Sequence, residues 1–177
     1  FSDEYIQNSI LNDTLLNKYG NLIIIKSISK SYGVPGLRLG VLASANADLI
    51  ALVRKNISIW NINSFAEFFL QIYGKYAKFY LEGCAKLATE RSRFMNELIK
   101  IPYLRPIPSQ ANYILCEVLA PYTSKALTVE LLDKNNLFIK DCSHKDGFDG
   151  RQYVRIAVRD KNDDDKLLHC LTHLKIS

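Results

Sequence analysis

A short apolar run that stops at a loop too rich in glycine to be regular restricts this chain more than any other feature. Asn21-Leu-Ile-Ile-Ile-Lys-Ser27 is brief and β-branched, the pattern of a strand buried on both faces in a parallel sheet. Close behind it, Lys30-Ser-Tyr-Gly-Val-Pro-Gly-Leu-Arg-Leu-Gly40 carries three glycines and one proline, which favour tight turns over helix or strand. If residues 27–29 stay extended, the Ser27 and Ser29 hydroxyls share a face by the two-residue period, and Lys30 follows at the strand end. Gly33, Pro35 and Gly36 can then turn the chain back so that Arg38 approaches the same point. Two hydroxyls and a guanidinium make a phosphate cradle, because arginine offers a planar donor fork and hydroxyls donate without adding bulk. An amine beside that cradle suits a ligand that is both an aldehyde and a phosphate ester.

The rest of the chain alternates strand and helix. A strand over 39–43 precedes a helix over 46–55, whose stripe is Leu49, Ile50, Leu52 and Val53. Asn63 opens a helix with Phe65, Phe68, Phe69, Ile72 and Tyr73 on one side. Residues 75–100 keep helical spacing for about 39 Å, and Gly83 within them costs roughly 1 kcal/mol against alanine. Pro102, Pro106 and Pro108 end that helix in a turn. Strands over 111–118, 137–141 and 153–158 and helices over 123–135 and 162–175 complete an α/β pattern without internal repeats. In the last strand Val154, Ile156 and Val158 take one face, so Arg155 projects from the other with Tyr153 and Ala157. An arginine fixed on a strand is a good bidentate clamp for a carboxylate.

Composition excludes several classes. With 48% hydrophobic and 23% charged residues the 177-residue chain has a real core to bury. The net charge of +5 is dispersed among acidic residues, which argues against a nucleic-acid partner. No apolar run reaches the roughly 20 residues of a membrane span. Cys84, Cys116, Cys142 and Cys170 lack C-x-x-C spacing, so reduced thiols in the cytoplasm are expected rather than zinc or disulfides. His169 and His173 stand four apart but have no third ligand, and no metal site is expected. Asp163-Asp-Asp165 places negative charge at a helix N-terminus, and Arg151 and Arg159 read as surface charges. Phe1 rather than methionine at the start, without a signal-peptide pattern after it, reads as a piece of a longer chain.

The stretch from Ser27 to Gly40 resembles the lysine motif of fold-type-I pyridoxal-phosphate (PLP) enzymes, S-x-S-K with an arginine eight residues after the lysine. Pro108-Ser-Gln-Ala-Asn-Tyr-Ile-Leu115, Phe138-Ile-Lys-Asp141 and residues 153–158 resemble the small domain of histidinol-phosphate aminotransferases, which threonine-phosphate decarboxylase is also similar to. The resemblance implies an α/β, PLP-dependent transferase-like fold, with the tail of a large domain over 1–74 and a small C-terminal domain over 75–177. It implies that Lys30 holds PLP as a Schiff base, and that Ser27, Ser29 and Arg38 bind the cofactor phosphate. Arg155 would hold the substrate α-carboxylate. Lys140 stands where the histidinol-phosphate enzymes commonly carry an arginine that contacts substrate phosphate, and it reads equally as an ordinary strand-end charge. The implied activity is amino transfer between an amino acid or amino-alkyl phosphate and a 2-oxo acid. The alternatives are decarboxylation of a phosphorylated amino acid and a non-catalytic binding module. A homodimer is implied, with Trp60-Asn-Ile-Asn-Ser64 and the aromatic helix after it at the interface or, equally, in a core. Ser2-Asp-Glu-Tyr5 looks like the segment that follows the family's aspartate motif, so the partners of the pyridine ring would lie upstream. The isolated chain is therefore expected to have little or no transaminase activity.

Overall fold

The computed structural model describes residues 9–174, so Ser2–Tyr5 and the final residue of the expected C-terminal helix lie outside the described residues. Compact packing divides the chain into two units, with the change between Glu82 and Gly83.

The first unit begins with α1 (Asp13–Lys18), whose cap Asn12 accepts from the Leu15 N–H at 2.9 Å. β1 (Ile24–Ser27) runs straight into the single turn α2 (Ile28–Ser31), and a 3-10 turn over Pro35–Leu37 leads to β2 (Gly40–Ala43). The two strands pair antiparallel, Ile24 with Ala43 and Ser27 with Gly40. Among the described residues β1 thus pairs only with β2 and antiparallel to it, where a parallel sheet was expected, with Ile24 buried. The loop reverses the chain, which forces antiparallel pairing, and an apolar run does not reveal what covers its second face. α3 (Ala47–Asn56) follows, capped by the Asn46 side chain on the Leu49 N–H.

α4 (Ser64–Leu98) is one continuous helix of 35 residues, about 52 Å long, rather than the two expected from the pattern. Gly74 lies in its interior. A lone glycine costs about 1 kcal/mol in a helix, too little to interrupt an apolar stripe that continues on both sides.

The second unit is an antiparallel sheet with helices on one face. β3 (Leu104–Ile107), β4 (Tyr113–Val118), β5 (Lys140–Asp141) and β6 (Tyr153–Ala157) lie in the order β3-β4-β6-β5. β3 is a strand that the proline spacing hid. Pro106 sits within it opposite Cys116, and the position is tolerated because β3 is an edge. α5 (Ser124–Asn135) is capped by Thr123, and α6 (Lys161–Thr172) by Asp160, each side chain accepting from the N–H three residues on. Ile114, Cys116, Val154 and Ile156 on the inner face of the sheet meet Phe94 and Leu98 of α4, Leu127 and Leu131 of α5, and Leu167 and Leu171 of α6. The alternate side chains of β4 and β6 therefore face away from the helices.

Candidate functional site

Lys30 is the third residue of α2, and its side chain is exposed. The strand stops at Ser27 because the Ile28 carbonyl turns away from the ladder: its N–H still donates across to the Leu39 carbonyl at 3.0 Å, but its carbonyl accepts from the Tyr32 N–H at 3.1 Å and starts α2. Residues 27–29 are consequently not extended, and the expected pair of hydroxyls on one strand face does not form. Ser27 is exposed and makes no capping bond with its side chain. Ser29 is buried, and its hydroxyl donates to the Leu39 carbonyl at 3.4 Å.

Arg38 is returned by the loop to the foot of β2. It lies two residues before Gly40, the ladder partner of Ser27, and is exposed. Its backbone is left-handed, φ 55° and ψ 40°, a conformation that costs a non-glycine residue about 1–2 kcal/mol. Leu39 beside it is buried and receives both Ile28 and Ser29, so the fold itself holds the strain. Ser27, Lys30 and Arg38 thus stand exposed at one end of the β1–β2 hairpin: an amine, a hydroxyl and a guanidinium. This donor set fits an aldehyde that carries a phosphate.

α4 supports the same segment. Asn63 caps α4 with its carbonyl oxygen, which accepts from the Ala66 N–H at 2.9 Å, and its amide nitrogen donates to the Leu37 carbonyl at 3.0 Å. Tyr80 donates to the Ser31 carbonyl at 2.6 Å. The Tyr32 ring lies 5.0 Å from that of Tyr73 and 4.8 Å from that of Tyr80, centre to centre. None of these contacts was legible in the sequence, where the tyrosines read only as an apolar stripe.

In the second unit Arg155 stands on the face of β6 away from the helices, exposed, with its guanidinium 5.1 Å from the centre of the Tyr113 ring. Lys140 is its ladder partner on β5, so the two cations sit side by side on one face. Leu115 is the partner of Arg155 on the other side, and a depression of about 430 Å³ beside it is lined by Ile107, Pro108, Ser109, Tyr113 and Leu115. Tyr153, expected on the same open face, is buried because Phe148 from the preceding loop packs on its ring at 4.3 Å.

His169 and His173 stack at 4.4 Å, with His173 Nδ1 2.9 Å from the His169 carbonyl. Among the described residues no cluster of three metal-binding side chains forms. Asp164 was read only as helix-terminal charge, yet it is buried at 2% exposure, and its Oδ1 accepts from the Arg159 N–H at 3.1 Å. Burial and the facing Glu90 carboxylate push its carboxyl up to about 7. Among the described residues no helix is long and apolar enough to cross a membrane.

Comparison with known proteins defines the class first. The solved histidinol-phosphate aminotransferase from Clostridium acetobutylicum shares this fold, with a TM-score of 0.79 and 29% identity over 96% of this chain and 50% of that one. The family follows: the model for aminotransferase class I and II matches residues 3–171, and the chain belongs to that family, whose enzymes depend on pyridoxal phosphate. An L-serine phosphate decarboxylase of Campylobacter jejuni is 32% identical over 91% of this chain and 41% of its own length. A CMP-5'-(3-aminopropyl)phosphonate synthase of Streptomyces rubellomurinus is 29% identical over 90% of this chain and 25% of its own. The chain therefore spans between a quarter and a half of the length of these three proteins.

Proposed function

We propose that this chain is the lysine-bearing part of an enzyme that moves an amino group between an amino acid or amino-alkyl phosphate and a 2-oxo acid. The observation that carries the reading is the joint exposure of Ser27, Lys30 and Arg38 at one hairpin end, with Arg38 held in a strained backbone. Lys30 holds the aldehyde carbon of pyridoxal phosphate, while Arg38 and Ser27 bind its phosphate. Ser29 joins them by exchanging the Leu39 carbonyl for a phosphate oxygen, a small loss because 3.4 Å is the long end of a hydrogen bond. When bound, the cofactor supplies a sink for electrons released at the amino-bearing carbon. Once the substrate amine took its place on the aldehyde carbon, the freed Lys30 amine would be the group to move the proton at the substrate carbon. Arg155 grips the substrate α-carboxylate, and Lys140 beside it meets a second anionic group as a point charge.

Loss of carbon dioxide from a phosphorylated amino acid is the second reading, favoured by the 32% identity to an L-serine phosphate decarboxylase. We assign residues 1–74 to the large domain and 75–177 to the small one. Trp60, 90% exposed, and Phe65, 79% exposed, suit a homodimer interface, and the free cysteines suit the cytoplasm. The test uses the full-length protein, incubated with pyridoxal phosphate, reduced with borohydride and digested for mass spectrometry. A phosphopyridoxyl adduct concentrated on Lys30 is expected, whereas adducts spread thinly over many lysines would refute the reading and favour a non-catalytic module. With phosphoserine and 2-oxoglutarate as substrates, glutamate formation without carbon dioxide supports transfer, and carbon dioxide release supports decarboxylation.

A further inference from the structure

Lys30 sits in a helical turn of four residues, too short to hold its own shape. Something else must fix the direction of its amine relative to Arg38. On one side the Ile28 N–H is tied to the Leu39 carbonyl. On the other, two polar side chains of α4 and its cap reach the intervening segment from outside: the Tyr80 hydroxyl takes the Ser31 carbonyl at 2.6 Å, and the Asn63 amide takes the Leu37 carbonyl at 3.0 Å. Those carbonyls belong to the residue directly after Lys30 and the residue directly before Arg38. The tethers therefore bracket the span that separates the amine from the guanidinium.

We propose that Tyr80 and Asn63 are positioning residues, which clamp the segment between Lys30 and Arg38 at both ends and so set the spacing of the amine from the phosphate-binding guanidinium. This rests on the reading of Lys30 and Arg38 given above. A cofactor that must meet an amine with its aldehyde and a guanidinium with its phosphate tolerates little play between them, because geometry fixed in advance removes an ordering cost from binding. Neither residue touches the cofactor in this account. The Tyr32 ring, packed against Tyr73 and Tyr80, closes the apolar side of the same anchor.

Two substitutions separate clamping from folding. Tyr80→Phe keeps the ring packing and removes only the hydroxyl. Asn63→Asp keeps the oxygen that caps α4 on the Ala66 N–H but has no hydrogen to give to Leu37. Tyr76→Phe, on an exposed position of the same helix, is the control. In the full-length protein, the concentration of pyridoxal phosphate giving half-maximal borohydride labelling of Lys30 is measured beside the melting temperature. Each clamp variant is expected to raise that concentration roughly fivefold, the scale of one lost hydrogen bond, while the melting temperature moves by no more than about 3 °C and the control leaves labelling unchanged. Unchanged labelling in both clamp variants, or an equal rise in Tyr76→Phe, would overturn the clamp. Absence of a Lys30 adduct in the parent protein would instead overturn the cofactor reading on which the clamp rests.

Discussion

Replacing Asp164 with asparagine should make the protein more stable at pH 8 and leave it nearly unchanged at pH 4. Asp164 is buried at the start of α6, and its Oδ2 finds no donor among the described residues. Arg93 is committed to neighbouring acids, Glu90 at 2.5 Å and Asp165 at 2.7 Å. A buried carboxylate oxygen without a donor is satisfied only when it carries the proton and donates, here toward Glu90. Burial first, and then the facing Glu90, push the carboxyl up to about 7 from its ordinary 3.8. The folded state thus binds this proton more tightly than the unfolded chain does. The stabilisation is complete below the ordinary carboxyl range and is lost as pH rises through about 7. Unscreened, the shift is worth about 4 kcal/mol. Arg93 and water at the rim of the cluster screen the group, so about 2 kcal/mol is the expected loss between pH 4 and pH 8. Asparagine keeps the oxygen that accepts from Arg159 and supplies a permanent donor toward Glu90. Melting curves of parent and Asp164→Asn should therefore differ by about 4–8 °C at pH 8 and coincide near pH 4. An Asp164→Asn variant equally destabilised at both pH values would show that the carboxylate, not the proton, is the native form.

Two further outcomes follow from single residues. In the full-length protein Arg155→Lys replaces a planar fork with a point charge, so it should raise the KM for the amino substrate by roughly 10- to 100-fold in steady-state kinetics, with a smaller effect on kcat; an unchanged KM would remove Arg155 from the carboxylate site. Leu131→Ala empties a fully buried position in the core of the second unit and should cost about 2–5 kcal/mol in urea unfolding, whereas a loss below about 1 kcal/mol would mean the core is not packed as described.

The elements could be read from the sequence where one physical rule acted alone. The two-residue period put Val154 and Ile156 on the buried face of β6 and Arg155 on the other, and that is what forms. The helix expected over 46–55 forms as Ala47–Asn56, with Asn46 just outside it as the cap. Reading failed where two rules competed. Pro106 spoke for a turn, but an edge strand needs no N–H on its solvent side, so β3 could keep it. The helix opening at Asn63 and the one over 75–100 read as two, but Gly74 between them costs little against a continuous stripe.

The site shows a different limit. Ser27 and Ser29 obey the two-residue period only if the backbone stays extended, and it does not: the Ile28 carbonyl accepts from the Tyr32 N–H and starts α2, while the Ser29 hydroxyl turns to the carbonyl of Leu39, ten residues on. Local pattern holds no information about a partner that arrives from across a loop. The same holds for Tyr80, whose spacing on α4 fits a core position, while its hydroxyl reaches Ser31, 49 residues earlier. What local sequence does carry is chemical identity: an amine, a guanidinium and hydroxyls around a turn forced by glycine and proline. Recognition of an aldehyde and a phosphate needs those groups first and their exact direction second, so the class of ligand could be inferred before the backbone that aims them was known.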